Sequence, residues 1–220
     1  MIETVSPNFN ERPADVLVDM LVVHYTGMVS GQAALQRLCD PATEVSAHYL
    51  IDEDGAVHRL VAEDHRAWHA GVSHWRGATN INDRSVGIEL VNPGHEFGYR
   101  AFPQNQMAAF QDLALGILAR HPIPACNVVG HSDVAPARKQ DPGELFDWPG
   151  MAAAGIGLWP GPDAMETDAK AEDLLQVIGY QTDDLVSAIT AFQRHFRPSR
   201  LDGLADDETL ARLAAVAVMI

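Results

Sequence analysis

The sequence predicts an α/β fold, a mixed central sheet flanked by helices, with a small C-terminal three-helix appendage. Three observations predict it. Short β-branched runs alternate with amphipathic helical stretches up to about Gly150, the pattern of a sheet covered by helices. Within them, HYLIDEDGAVHRLV sets two strand-like runs around an Asp-Gly turn, a hairpin signal. Beyond Gly150 the composition shifts and only helical periodicity follows.

Each element follows in order. VLVDMLVVHYT is a β-branched run, a largely buried strand from Val16 to about His24. GQAALQRLC spaces Ala and Leu for a short amphipathic helix. The hairpin comes next, then SVGIELV as a further strand. PQNQMAAFQDLALGILARH aligns Met107, Phe110, Leu113, Ile117 and Leu118 on one stripe, with a basic last turn before Pro122. NVVGH is a short strand. MAAAGIGLWPGPDAM holds Gly and Pro too close together for a regular element and reads as a linker over 151–165, with Pro160, Gly161 and Pro162 consecutive. AEDLLQVIGY, DDLVSAITAFQRHF and DDETLARLAAVAVM are three amphipathic helices, giving a unit over 166–220 that is marginal alone by size. Residues 1–150 form the main domain.

Composition narrows the function classes. With 47% hydrophobic and 20% charged residues, the 220-residue chain can bury a real core. Its formal charge of -15 excludes nucleic acid and anionic membrane surfaces as partners, since both would repel it. Cys39 and Cys126 lack metal-finger spacing and imply no disulfide framework, so each is expected to be a buried small hydrophobe. There is no basic segment followed by an apolar one at the start, and no apolar run approaching ~18 residues. A start at Met1 points to the cytoplasm; removal of an export signal would make it periplasmic or outer-membrane-associated.

The chemistry concentrates in GHSDVAPARKQDPG, Gly130 to Gly143. There is no HExxH, GxSxG or dinucleotide loop. His24 ends one buried strand and His131 follows another. If those strands are parallel neighbours, both imidazoles emerge at one sheet edge, and Asp141 returns after the turn at Pro136. Two histidines and a carboxylate leave the fourth position of a tetrahedral zinc open for water. Lys139, two residues before Asp141, points the same way in an extended segment, and Pro142 keeps Asp141 extended. Glu89 inside an apolar strand is a poor fit by propensity, and partial burial would raise its pKa towards that of a proton shuttle. Each has a plainer reading: His24 as a satisfied strand-end ring, Glu89 as solvent-facing, Lys139 and Asp141 as an exposed ion pair worth ~0–1 kcal/mol.

The blocks SPNFNERP, LVVHYTG, VSAHYLIDEDG, AWHAGVSHWRG, INDRSVGIEL and VVGHSDVAPARKQDPGELFDWPG resemble the zinc-dependent N-acetylmuramoyl-L-alanine amidases, in the right order over about residues 6–150. That family includes bacterial recycling amidases, phage amidase lysozymes and peptidoglycan recognition proteins. The resemblance implies one zinc ion held by His24, His131 and Asp141, with Glu89 as the catalytic glutamate and Lys139 as the cation at the oxyanion. Phage members carry a Tyr where this chain has Ala47, so the proton shuttle falls to Glu89. His48, Trp68, His69 and Asn82 lie in blocks that line the cleft and are the substrate-binding candidates. For His48 a structural role is the alternative, and for Asn82 a turn cap. His58, His65, His74, His95 and His121 read as surface or packing residues.

The resemblance implies hydrolysis of the amide between the lactyl group of N-acetylmuramic acid, or its 1,6-anhydro form, and L-alanine of the stem peptide. Muropeptide or peptidoglycan is then the partner and a monomer the expected state. A non-catalytic peptidoglycan-binding module is the alternative. The segment after Glu89 and the helical tail resemble bacterial amidases with a C-terminal peptidoglycan-binding-like domain; the same tail residues would serve a three-helix core equally well.

Overall fold

A computed structural model describes residues 1–161 and 165–220. In chain order the strands are β1 (Ile2–Glu3), β2 (Phe9–Glu11), β3 (Met20–Tyr25), β4 (Tyr49–Ile51), β5 (Val57–Arg59), β6 (His65–Ala67), β7 (His74–Trp75), β8 (Ala78–Thr79), β9 (Ser85–Leu90) and β10 (Val128–Gly130). The helices are α1 (Gly31–Cys39), α2 (Gly94–Phe97), α3 (Gln104–Arg120), α4 (His131–Val134), α5 (Trp148–Ala153), α6 (Ala171–Ile178), α7 (Leu185–Phe196) and α8 (Asp207–Ala217).

Six strands form the central sheet in the order β1-β5-β4-β9-β3-β10. The sheet is mixed: β4 and β5 pair antiparallel as the hairpin, and every other pairing is parallel. Two antiparallel ribbons, β2–β6 and β7–β8, lie outside it.

Alternation along the strands sorts side chains between two layers. Leu21 and Val23 of β3, with Val86, Ile88 and Leu90 of β9, pack against Phe110, Leu113 and Ile117 of α3. On the opposite face Met20, Val22 and Val129 pack with Leu175, Ile178, Ile189, Phe192 and Leu213 of the C-terminal helices. Leu50 meets Ala34 and Leu38 of α1 on that same side, farther along the sheet. His24 and Glu89 share the parity of Val22 and Gly87, so they point to this second face, between α1 and the C-terminal helices. They sit at the carboxyl ends of parallel strands, where open α/β sheets leave their crevice.

Side-chain caps close several helix starts: Ser30 accepts from the Ala33 amide, Asp184 from Ser187 and Asp206 from Thr209.

In its elements and core the fold differs from the sequence expectations in four places. The strand expected from Val16 begins at Met20, because Val16 and Leu17 are exposed and contribute nothing to the core. The expected linker over 151–165 is helical at its start: α5 runs to Ala153, and Met151 and Ile156 are buried in the core beneath α3. Pro162, part of that linker reading, lies outside the described residues. Cys39 and Cys126 are half-buried free thiols rather than core residues. On α3 the buried stripe includes Gln106, whose amide donates to the carbonyls of Ile51 (2.9 Å) and Val91 (3.0 Å), while Met107 and Leu118 are only partly covered.

Candidate metal centre and cleft

Register places the candidate ligands. β3 pairs with β9 so that His24 lies opposite Glu89, and with β10 so that Gly130 lies opposite Val23. His131, one residue past β10, therefore emerges level with His24. The chain turns into α4 there, and the Ser132 amide donates to the Asp141 carbonyl at 2.9 Å, bringing the returning loop alongside. The Asp141–Pro142 bond is cis.

The three donors converge. His24 Nδ1 lies 2.9 Å from His131 Nδ1, and each lies 3.0 Å from Asp141 Oδ2. The remaining hydrogen bonds set the tautomers. Ser85 Oγ donates to the Ile81 carbonyl (2.7 Å), so it accepts from His69 Nε2 at 3.2 Å. That leaves His69 Nδ1 to accept from His24 Nε2 at 3.0 Å. His131 Nε2 donates to the Ala70 carbonyl at 3.1 Å. Both Nδ1 atoms thus carry bare lone pairs, facing each other and a carboxylate. Such a set repels itself unless a cation lies within it. Two imidazoles and one carboxylate, with outer nitrogens fixed by second hydrogen bonds, suit a divalent metal ion. Regular tetrahedral bonds of ~2.0 Å put ligand atoms about 3.3 Å apart, close to the spacing observed.

Electrostatics agree. Burial, and then His131, pulls His24 down to about 4, so it is neutral at neutral pH. Burial pushes the Asp141 carboxyl up, but in the absence of a cation protons on the facing His131 and His24 rings would outweigh it and hold the group well below the usual carboxylate range, a pull that a metal ion among the three would supply instead. Glu89 behaves oppositely. Burial first, and the negative Asp141 second, raise it well above the carboxylate range, against the pull of Lys139. Its Oε2 is sequestered, without a hydrogen-bond partner among the described residues.

A cleft of about 740 Å³ opens over these groups. Glu89, His131, Lys139 and Asp141 line it, with Trp68 and His69 on one wall. Trp68 is held by its indole N–H, which donates to Asn10 Oδ1 at 2.5 Å.

His48 and Asn82 do not reach the cleft. His48 is 0% exposed; its Nδ1 accepts from the Gly87 amide at 2.9 Å and its Nε2 donates to the His65 carbonyl at 3.1 Å. Asn82 Oδ1 accepts from the amides of His69 (3.1 Å) and Ala70 (2.7 Å), bracing the segment behind the wall. Both ring nitrogens of His48 and Oδ1 of Asn82 are thus committed to the backbone, and neither residue is among those lining the cleft. Gly87 belongs to the same brace: a Cβ there would meet the His69 ring at 2.5 Å, so only glycine lets the ring lie against β9.

Sequence reasoning missed Arg12, Tyr25 and His95. Half-buried Arg12, drawn down to about 10 chiefly by desolvation, donates to the carbonyls of Glu63, Asn82, Asp83 and Ser85, tying the ribbon to the sheet. His95, read as a surface or packing residue, lines the cleft with Tyr25, whose hydroxyl is 2.9 Å from His95 Nδ1. Their contacts span distant segments, so no local signal marks them; the Tyr that follows His24 in LVVHYTG was the available hint.

The profile of one family, described as N-acetylmuramoyl-L-alanine amidase, matches residues 12–144, which include all five of these charged or ligating groups. The chain belongs to that amidase family. The amidase is 38% identical over 224 residues to N-acetylmuramoyl-L-alanine amidase AmiD of Escherichia coli (strain K12), covering 88% of this chain and 80% of the relative. It is 37% identical over 165 residues to 1,6-anhydro-N-acetylmuramyl-L-alanine amidase AmpD of Salmonella typhimurium (strain SL1344), covering 67% and 86%. The AmiD structure, solved with anhydro-N-acetylmuramic acid-L-Ala-D-gamma-Glu-L-Lys, superposes with TM-score 0.82 at 36% identity, over 96% of this amidase and 93% of AmiD. AmpDh3 of Pseudomonas aeruginosa superposes with TM-score 0.83 at 35% identity over 98% of both chains.

Proposed function

We propose that this amidase hydrolyses the bond between the lactyl group of N-acetylmuramic acid, or its 1,6-anhydro form, and L-alanine of the stem peptide, in peptidoglycan turnover and recycling. One zinc ion at His24, His131 and Asp141 is part of the reading. The observation that carries it is the convergence of three donor atoms, from His24, His131 and Asp141, beside a cleft that His131, Asp141, Glu89 and Lys139 line. AmiD and AmpDh3 have each been solved with anhydromuramic peptides, which supports the substrate class.

Zinc held there supplies a Lewis acid that polarises a carbonyl and acidifies water. The protein does the rest. Glu89, raised by burial, takes the proton of the attacking water at its carboxylate and later gives it to the leaving alanine nitrogen. Lys139 places its ammonium by the oxygen that gains negative charge, where fixed charge stabilises the transition state most. His69 and the Ala70 carbonyl hold the two imidazoles in their ligating tautomers. Trp68 offers an apolar wall to the sugar or peptide. All five groups come from one chain, so a monomer contains the complete site.

Mass spectrometry of an anhydro-N-acetylmuramyl tripeptide incubated with the protein tests the reading. Free tripeptide is expected, lost on chelation and restored by zinc. Intact substrate in the presence of zinc-loaded protein would instead indicate a binding module.

A further inference from the structure

The turn carrying His131 is held from outside the family-matched segment. Asp133 Oδ2 accepts from the Gly130 amide at 2.7 Å, closing the first turn of α4 around His131. The same carboxylate is gripped by the C-terminal helices. Tyr180, just beyond α6, donates its hydroxyl to Asp133 Oδ1 at 2.6 Å, and His195 of α7 donates Nδ1–H to Oδ2 at 2.7 Å. All three side chains are buried. The His195 ring is stacked on Trp148 of α5, with centroids 3.8 Å apart and planes 17° from parallel, so its direction is fixed. Beyond Asp141, Arg194 of α7 lies 3.6 Å from Glu144, which meets His95 at the cleft mouth. The helical unit therefore touches the ligand loop both before and after its turn.

A module that served only to tether substrate would need no buried polar grip here. Buried polar groups at such a junction cost desolvation, which the hydrogen bonds onto Asp133 offset at Tyr180 Oη and His195 Nδ1, while His195 Nε2 has no partner among the described residues.

We propose that Tyr180 and His195 are positioning residues of the metal centre, holding Asp133 so that the Gly130–Asp133 turn presents His131 Nδ1 to the donor set. The C-terminal helices are thus a brace built into the site. This rests on the metal reading above, but it is tested without muropeptide.

The test uses the full chain and measures zinc affinity by competition with a chromogenic chelator, together with the visible spectrum of the cobalt-substituted protein. Tyr180→Phe and His195→Leu are expected to weaken zinc about 10-fold, at the low end of losses for groups supporting a ligand, and to shift the cobalt bands. His195→Asn, which keeps a donor near Nδ1, is expected to restore most of the affinity. Val216→Ala, a cavity in the same helical core away from Asp133, is expected to bind zinc like the wild type. Wild-type zinc affinity and spectrum in both Tyr180→Phe and His195→Leu would overturn the proposal, as would equal loss in Val216→Ala. If His195→Leu fails to fold, Tyr180→Phe, which deletes a single oxygen, decides. Wild-type protein that binds zinc yet leaves muropeptide intact would sink the amidase reading and leave this one standing.

Discussion

His24 and His48 start from the same chemistry and end in different trades. Both are fully buried on the sheet or beside it, and burial pulls both down, to about 4 and about 3. His48 commits both nitrogens to backbone, at Gly87 and His65, with the Arg12 guanidinium beside it. His24 commits only Nε2, to His69, and leaves Nδ1 facing His131 and Asp141. Depth and pKa therefore do not separate a ligand from a structural ring. What separates them is one uncommitted lone pair aimed at two others.

The comparison breaks hardest at His131. His131→Ala removes a donor outright and is expected to abolish zinc retention and drop kcat/KM below about 10⁻⁴ of wild type, the scale seen when a catalytic centre is dismantled. Metal analysis of the purified variant beside steady-state rates checks it; stoichiometric zinc in His131→Ala would remove it from the ligand set.

Glu89 comes next. It lines the same cleft but, among the described residues, makes no hydrogen bond to the triangle. Glu89→Gln is expected to keep zinc and substrate binding while kcat falls about 10²–10⁴-fold, the range for loss of a general base. A variant that turns over at the wild-type rate would transfer the proton to another group.

His48→Ala should do the reverse. It strands the Gly87 amide and the His65 carbonyl in a dry interior, which costs about 1–3 kcal/mol for a buried group left unpaired. Chemical denaturation should read that loss, with zinc stoichiometry unchanged. Loss of metal without loss of stability would move His48 from the brace to the site.

The same contrast explains what the sequence made legible. Strand runs, α1, the hairpin and α3 were readable because each carries its period within itself. The five candidate residues, His24, Glu89, His131, Lys139 and Asp141, could be singled out from the ordered blocks around them. The start of α5 was missed although its signal was present: Asp147 caps the Gly150 amide and Pro149 sits in the first turn, both ordinary N-terminal devices. Arg12 was not readable, because its carbonyl partners come from segments more than 50 residues away and any residue type supplies a carbonyl. The grip of Tyr180 and His195 on Asp133 is hidden for the same reason, since helical periodicity places Phe192 and Leu213 in a core but says nothing of what that core covers.

The smallest effect sharpens the comparison on the carboxylate side, and its sign is fixed. Glu89 is raised above its unfolded value. Between the ordinary carboxylate pKa and the raised one, the folded chain keeps a proton that the unfolded chain has lost. Stability from this group is therefore fully present at pH below the ordinary value and falls as pH rises through the raised one. Glu89→Gln cannot ionise and escapes that fall. Without metal, the variant and wild type should melt alike near pH 4, and the variant should melt higher at neutral pH. Adding zinc should narrow the gap, because a cation in the donor set offsets the carboxylate that burial penalises. A gap that is the same at both pH values would mean that Glu89 ionises in the fold as freely as in the unfolded chain, and that water reaches Oε2.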